Sequence, residues 1–342
     1  MTEPPIIRFK DTQIELAHGA GGKASRRLVE GLIAPILGNP RLDDAALLGL
    51  GGLALAFTAD SFVVKPLRFP GGSIGELAVN GTVNDLAVSG ARSVALLSTL
   101  ILEAGLPAQV LQEELEAIQR AAQAAGVQVV GGDTKVVEHG KADGLYISTS
   151  GIGLVDSRVH LTASSVRPGD LVLLSGPIGD HGVTILLARG ELDLEASLES
   201  DTRSVWPLVE ALIGVAAPGL RWMRDPTRGG VATALNELAR ETRLAIRLYE
   251  DQIPIRDEVR GACEILGLDP LHIANEGQFI AIVAPEYAET ALEAVRAVPG
   301  GAEARWVGEV VESPAGVVYS QTGYGSSRIV DMLVGDPLPR IC

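Results

Sequence analysis

Cysteine is scarce in this sequence, with only Cys263 and Cys342 in a chain of 342 residues. Two cysteines cannot build a disulfide framework, and these two lack the C-x-x-C spacing of a thiolate metal site. The scarcity is typical of a chain that folds in a reducing, cytoplasmic environment. Cys263 falls in a predicted helix over 256–266, where we expect it to be a buried structural residue.

Basic residues and long apolar runs are also lacking. The chain has 28 Lys and Arg against 43 Asp and Glu, a formal charge of -15. Nucleic acids and acidic membranes select basic surfaces, so we expect neither as a partner. No uncharged apolar run reaches about 18 residues, the length a membrane-spanning helix needs. Residues 1–13 contain several charges and no apolar core, so no signal peptide is predicted and the expected location is the cytoplasm.

Aromatic residues make up only 4% of the chain, although 46% of it is hydrophobic, which predicts a core of Ala, Val, Leu and Ile. Strands and helices interleave in both halves. The sequence therefore predicts two α/β (α+β) domains, residues 1–157 and 158–333, followed by a flexible tail over 334–342. Two prolines in the tail exclude a helix there and favour an extended chain.

Apolar periodicity places the elements. In the first half it predicts helices over 23–37, 73–88 and 108–125, and strands over 53–58, 93–102, 127–137 and 145–155. In the second half it predicts strands over 171–175, 245–249, 279–284, 307–311 and 317–320, and helices over 181–188, 203–217, 230–242, 256–266 and 286–298. Ser73, with Glu76 three residues on, predicts a capping box at the second helix.

Acidic side chains recur in the first half, mostly at the predicted ends of elements: Asp43, Asp44, Asp60, Asp85 and Asp133. Oxygen ligands spread over several elements suit Mg²⁺ bound together with a phosphate substrate. Asp85 lies within an otherwise apolar helix, where an unpaired carboxylate is costly. Asn80 and Asn84 share one face of that helix, with Asp85 beside it. The alternatives are a satisfied core network for Asp85 and a cap or turn role for each other Asp.

Three polar loops add further candidate groups. His18-Gly19-Ala20-Gly21-Gly22-Lys23 leads into the first helix and can cradle an anion, or it is a flexible turn. It is not a Walker A loop, because alanine follows the lysine where Ser or Thr is required. Asp225-Pro226-Thr227-Arg228-Gly229-Gly230 leads into the helix over 230–242, and Asn275-Glu276-Gly277-Gln278 precedes a strand. Lys135 follows Asp133-Thr134 and offers a point charge. Each loop alone also fits an ordinary turn or cap.

The chain ends in Pro339-Arg340-Ile341-Cys342. A thiol at the end of an extended tail can move between two sites and be loaded by another protein. Chain ends usually tolerate change, so an incidental exposed thiol is the alternative.

In this order, the segments resemble the aminoimidazole-ribonucleotide-synthetase-type (PurM-like) ATPases and, within them, the HypE family of hydrogenase-maturation carbamoyl dehydratases. The resemblance covers essentially the whole chain. It rests on the three polar loops, Asp43-Asp44-Ala45-Ala46, Thr58-Ala59-Asp60-Ser61, Asn84-Asp85-Leu86-Ala87, Gly131-Gly132-Asp133-Thr134-Lys135 and the last four residues. The terminal segment is the most specific, because other branches lack a C-terminal cysteine tail. Selenophosphate synthetases carry Cys or selenocysteine in the Gly-rich loop, and this loop has neither.

The resemblance implies a two-domain PurM-like fold. Its N-terminal ATP-binding α+β domain forms a β-barrel across a homodimer interface, and its C-terminal domain is an α/β sandwich. It also implies the family's reaction. HypF, a carbamoyltransferase, loads a carbamoyl group onto the terminal cysteine, and ATP drives its dehydration to a thiocyanate. The HypC–HypD complex then receives cyanide as an iron ligand for [NiFe]-hydrogenase.

The resemblance also implies roles for individual residues. The Mg²⁺ and ATP ligands are Asp43, Asp44, Asp60, Asp85 and Asp133. Asn84 and Thr134 contact the nucleotide, and Asp225 and Arg228 line the tail channel or the nucleotide phosphates. Cys342 carries the carbamoyl group and Arg340 helps to dock the tail. Glu276 is the base, and Lys135 stabilises developing charge or polarises the carbamoyl group.

Two alternatives remain at this point. A kinase or synthetase of the same superfamily would act on a free small molecule, and the tail would be incidental. A non-catalytic carrier would only ferry a group on its tail thiol.

Overall fold

A computed structural model describes residues 8–19, 21–38, 44–190, 196–335, 338 and 340–342 of the chain. Within these residues, the strands form two large sheets, one before residue 157 and one after it. The predicted helix over 23–37 is present in three parts, α1 (Lys23–Leu28), a π-helical turn (Val29–Ile33) and α2 (Ala34–Leu37).

The first sheet has the order β1-β2-β7-β5-β6. Its strands are β1 (Ala46–Leu50), β2 (Leu53–Phe62), β5 (Ala91–Glu103), β6 (Gln128–Val137) and β7 (Leu145–Val155), and a separate short hairpin contains β3 (Arg68–Phe69) and β4 (Gly72–Ser73). Neighbouring strands are antiparallel except β5 and β6, which are parallel. Parallel strands need a crossover, and helix α4 (Ala108–Ala124) supplies it.

Helix α3 (Ile74–Val88) packs on one face of this sheet and is buried on almost every side. A helix that is mostly apolar around its circumference belongs inside a protein. Ser73 stands at the N-cap, but its hydroxyl forms no capping hydrogen bond, and Glu76 instead approaches Arg120. The predicted capping box is therefore wrong.

The other face of the first sheet carries exposed apolar side chains. Along β7 every second residue is buried against α3 up to Gly153, as expected for a strand with one covered face. On the opposite face Phe57, Leu97 and Leu154 are between 43% and 47% exposed. Other large exposed apolar residues on the strands of this sheet are Leu47, Leu48, Leu50, Leu53, Val94, Val129, Val130 and Val136.

The second sheet has the order β14-β13-β10-β12-β8-β11-β9. Its strands are β8 (Leu171–Leu174), β9 (Leu220–Arg224), β10 (Ala245–Tyr249), β11 (Ile280–Val283), β12 (Arg305–Val311), β13 (Val318–Gln321) and β14 (Ser327–Ile329). Its helices are α5 (Asp180–Ala188), α6 (Trp206–Ala216), α7 (Gly230–Thr242), α8 (Asp257–Leu266) and α9 (Ala288–Arg296). Separate clusters of buried apolar side chains lie on its two faces. Among the described residues, no helix combines the length and apolar character needed to cross a membrane.

Candidate functional site

Three carboxylates from separate elements converge where the two sheets meet. Asp44 lies two residues before β1, Asp85 lies in α3, and Asp225 directly follows β9. One oxygen from each lies within 4.8 Å of the others, and this is the one such group of His, Cys, Asp and Glu side chains in the described part of the chain. Carboxylate oxygens at this spacing are the ligands that Mg²⁺ prefers.

The alternation of β2 brings two more polar side chains to this group. Thr58 and Asp60 point to the same side of the strand, towards α3. The Thr58 hydroxyl lies 2.7 Å from the Asp85 carboxylate and 2.8 Å from the Asp44 carbonyl oxygen. Asp60 was predicted to follow a strand that ended at residue 58, but β2 continues to Phe62 and contains it.

Two carboxylates of this group, Asp85 and Asp225, have raised pKa values. Burial raises the pKa of Asp85 well above its ordinary value, and the charges of Asp60, Asp225 and Asp44 raise it further. Burial also raises the pKa of Asp225, with the Asp44 charge next in size. The Arg224 guanidinium pairs with Asp44 and lies 3.3 Å from Glu237. Buried carboxylates gathered from several elements are the electrostatic setting of a divalent cation site.

Glu276 lies in the buried segment that precedes β11. Its backbone N–H donates to Asp201 at 3.0 Å, and the Asn84 amide donates to its carbonyl oxygen at 3.1 Å. Its carboxylate faces α3, 3.8 Å from where a Cβ on Gly81 would lie. Burial raises the pKa of Glu276 well above its ordinary value, and the charges of Asp225 and Asp201 add to this. Glu276 is therefore a carboxylate with a strong affinity for a proton.

The C-terminal tail is docked between the two domains. The backbone N–H of Val63, the residue after β2, donates to the main-chain oxygen of Cys342 at 3.0 Å. The Arg340 side chain pairs with Asp143 and donates to the Val63 carbonyl oxygen at 3.2 Å. Leu338 and Ile341 are buried, and Cys342 is partly buried. The tail therefore occupies an inner position, and the contacts of Arg340 agree with its expected docking role.

Arg228 connects the tail electrostatically to the carboxylates. Its pKa lies above the ordinary value chiefly because of the negative charge of Cys342, with Asp60, Glu276 and Asp85 contributing after it. Cys342 and Glu276, the predicted base, therefore both lie near the guanidinium of Arg228.

The Gly-rich loop packs against the loop that carries Arg228. A Cβ on Gly21, whose φ is +74°, would lie 2.5 Å from the Arg228 carbonyl oxygen, so the close approach requires glycine. On its other side, the Lys23 N–H donates to the Leu333 carbonyl oxygen at 2.8 Å. The loop therefore links the Arg228 segment to the base of the tail.

The segment of Asp133, Thr134 and Lys135 lies apart from the aspartate group. It lies inside β6, the last strand of the first sheet, in agreement with the strand predicted over 127–137. Through the registers, Asp133 is level with Ser61 but three strands away, a separation of about 14 Å. Asp133 pairs with Lys135 at 2.6 Å, and both side chains are exposed. Contacts within this chain therefore give these residues no place in the group. Asp43 lies outside the described residues.

Asn84 joins the two domains. Its side-chain amide donates to the carbonyl oxygens of Arg203 and Glu276, at 2.9 and 3.1 Å, and accepts from the Val205 N–H at 2.8 Å. We predicted that Asn84 contacts the nucleotide. In the structure, the amide of Asn84 already donates to two carbonyl oxygens and accepts from one N–H within the protein.

Several residues at the site were missed by the sequence reasoning. Thr58 was noted only as part of a motif, and Arg224, Asp201 and Val63 were not singled out. The one available signal was the position of Arg224, directly before Asp225.

The fold and the site define the class of protein. Residues 42–155 match the family described as AIR synthase related protein, N-terminal domain, and residues 167–321 match AIR synthase related protein, C-terminal domain. The chain belongs to these PurM-like proteins. It is also similar to the carbamoyl dehydratase HypE of Azotobacter vinelandii, 50% identical over 339 residues that cover 98% of this chain and 99% of that protein. The chain therefore belongs to the HypE family, which confirms the predicted family and fold class.

Two solved structures agree with this assignment. A HypE–HypF complex matches with a TM-score of 0.85 and 42% identity, over 90% of this chain and 99% of that chain. A HypE in complex with ATP matches with a TM-score of 0.81 and 43% identity, over 96% of this chain and 99% of that chain.

Proposed function

We propose that this protein dehydrates an S-carbamoyl group on Cys342 to a thiocyanate, using ATP, and so supplies cyanide ligands for the iron of [NiFe]-hydrogenase. The observation that carries the proposal is the docked tail, which places the charge of Cys342 near Arg228, a guanidinium that also neighbours Glu276. Family membership supports the same reaction. An incidental tail would have no reason to bury Leu338 and Ile341 and to engage Arg340 in an ion pair.

The aspartate group fits Mg²⁺. Its oxygens converge from three elements, and burial makes their uncompensated charge costly. Asp44, Asp85 and Asp225 would hold the ion, with Asp60 close by. Bound there, Mg²⁺ would neutralise charge on the triphosphate of ATP, which is how most phosphoryl-transfer sites act. The solved HypE–ATP complex supports ATP as the nucleotide.

The chemistry follows from the poor leaving group in a carbamoyl amide. Transfer of the γ-phosphoryl group to the carbamoyl oxygen releases ADP and converts that oxygen into a phosphate ester. The nitrogen then loses its second proton, the C–O bond breaks, and phosphate leaves behind a C≡N group on sulfur. Each step removes one N–H proton, and Glu276 is the base we assign because its raised pKa makes its ionised form a strong acceptor. Arg228 would stabilise the anionic groups around the tail.

We also propose that the protein is a homodimer that pairs through the first sheet. A mostly antiparallel sheet can leave one face to water when that face is polar, but here the uncovered face carries exposed Phe57, Leu97 and Leu154, and an exposed apolar face of this kind marks an interface. HypF is proposed as the protein that loads Cys342, supported by the solved HypE–HypF complex. The HypC–HypD complex is proposed as the acceptor of cyanide.

The reaction is tested by intact-protein mass spectrometry after incubation with HypF, carbamoyl phosphate and ATP. We expect a carbamoyl adduct that loses one water only when Mg²⁺ and ATP are present. Cys342→Ala should form no adduct, whereas Cys263→Ala, the matched control, should behave as the wild type. A Cys342→Ala protein that turns over a free metabolite would support the small-molecule kinase instead. A wild type that forms and passes on the adduct without losing water, and an Asp85→Asn variant that does the same, would favour the non-catalytic carrier.

A further inference from the structure

His181 lies in the first turn of α5 and is completely buried. Its Nε2 lies 2.7 Å from the carbonyl oxygen of Ile341, and its Nδ1 lies 2.8 Å from the hydroxyl of Ser200. The ring of Phe69 packs edge-on against it at 5.7 Å between centroids. A carbonyl oxygen only accepts, so Nε2 carries the hydrogen and donates to the tail. Nδ1 is then the acceptor, and the Ser200 hydroxyl donates to it.

The environment keeps this arrangement fixed. Burial lowers the pKa of His181 to about 4, against the opposing effect of its hydrogen bond to Ile341. The ring is therefore neutral near pH 7 and has a single N–H to give. If the tail leaves, this donor loses its protein acceptor inside a buried site, which is unfavourable.

The Nδ1 nitrogen of His181 is connected to Glu276, the predicted base, through residues 200–202. The Ser200 hydroxyl also accepts from the Thr202 N–H at 3.1 Å. Between them, the Asp201 carboxylate accepts from the backbone N–H groups of Glu276 and Gly277, at 3.0 and 3.1 Å. Within this segment, Ser200 therefore contacts His181, and the adjacent Asp201 holds the Glu276 backbone.

The backbone of the tail is also held against its preference. Arg340 has a φ of +58°, in the left-handed region that non-glycine residues avoid. The Arg189 guanidinium donates to the Arg340 carbonyl oxygen at 2.9 Å, one residue before the bond from His181. Two consecutive carbonyl oxygens are thus fixed by side chains near the two ends of α5.

We propose that His181 is a positioning residue that holds the tail in its inner position and couples that position to the segment that places Glu276. The inference rests on the proposed function, because it gives the inner position a catalytic purpose. Nε2 of His181 holds the tail, and Nδ1 contacts Ser200, the neighbour of the Asp201 that holds the Glu276 backbone. The two nitrogens can therefore be separated by substitution, since a Gln amide mimics Nε2 and an Asn amide mimics Nδ1.

The first test measures the rate at which N-ethylmaleimide labels Cys342 in the full-length protein, by mass spectrometry, without nucleotide or partner. His181→Asn loses the donor to Ile341, so we expect Cys342 to label roughly tenfold faster, the effect of one buried hydrogen bond. His181→Gln should keep the protection of the wild type. Cys263 is buried in the same domain and reports any general opening of the fold. His160→Phe, at an exposed histidine, is the matched control and should change nothing.

The second test measures single-turnover dehydration of the carbamoylated protein at saturating ATP. We expect His181→Gln and Ser200→Ala to slow thiocyanate formation several-fold while HypF loads Cys342 normally. Equal behaviour of the Asn and Gln variants in both tests would show a merely structural role and overturn the proposal. If His181→Asn also exposes Cys263, that variant has lost its fold and the coupling is tested with Ser200→Ala alone. An unchanged dehydration rate in Ser200→Ala would then overturn the coupling. Failure of the wild type to dehydrate would refute the proposed function but leave the labelling result intact.

Discussion

Asn84 offers a test of how the two domains are held together. It is 1% exposed, and its amide makes three hydrogen bonds to segments of the second domain. Asn84→Ala leaves two carbonyl oxygens and one N–H without this partner. Each unsatisfied buried group costs about 1–3 kcal/mol, and these costs are not fully additive, so we expect a loss of roughly 3–5 kcal/mol in the free energy of unfolding. Asn84→Asp keeps the bond from Val205 but points carboxylate oxygens at the other two carbonyls.

The assay is urea unfolding followed by two probes. The three tryptophans all lie after residue 157, so fluorescence reports the second domain, whereas circular dichroism reports both. Loss of the connection should make the two transitions separate, a departure from two-state behaviour. Asn236→Ala is the matched control, because this buried amide bonds only within the second domain. It should lower stability without separating the transitions. Coincident transitions in Asn84→Ala, with stability unchanged, would refute the reasoning.

Three further predictions concern the carboxylates, the base segment and the uncovered sheet face. The raised pKa of Asp85 means that folded, metal-free protein keeps a proton that the unfolded chain releases above about pH 3.8, so stability falls as pH rises. Asp85→Asn should flatten that fall in thermal melts and abolish stabilisation by Mg²⁺; a persistent Mg²⁺ effect would contradict this. Gly277→Ala would place a Cβ 1.7 Å from the Asp201 carbonyl oxygen, so we expect lost dehydration and a destabilisation above about 2 kcal/mol in urea. Phe57→Lys should yield monomers in analytical ultracentrifugation, and Ile265→Lys, at another exposed position, should not.

Elements with strong local signals were predictable. The helix over 230–242 and the strand over 245–249 occur with the predicted bounds, because apolar periodicity and clear breaks coincide there. Strand β1 was missed, although Gly51-Gly52 between two apolar runs is a hairpin signal. Strand β9 was missed because five residues, two of them Arg, have too little pattern to separate a strand from a loop.

The site was only partly predictable, because sequence order does not give strand order. Asp44, Asp85 and Asp225 were all singled out, yet nothing local showed that they meet while Asp133 lies at the far edge of the sheet. The burial of a single side chain is equally hard to predict from sequence. A lone histidine in an apolar helix is unremarkable in sequence, and only the docked tail shows what His181 contacts.

The bond between Lys23 and Leu333 fixes one end of a tether. Nine residues follow Leu333, and fully extended they span about 30 Å. Any protein that loads or unloads the thiol must therefore bring its own reactive centre within that radius of Leu333. Because the Gly-rich loop anchors the tether, it limits where on the surface a donor protein and an acceptor protein can dock. Two large partners confined to that region would bind one after the other.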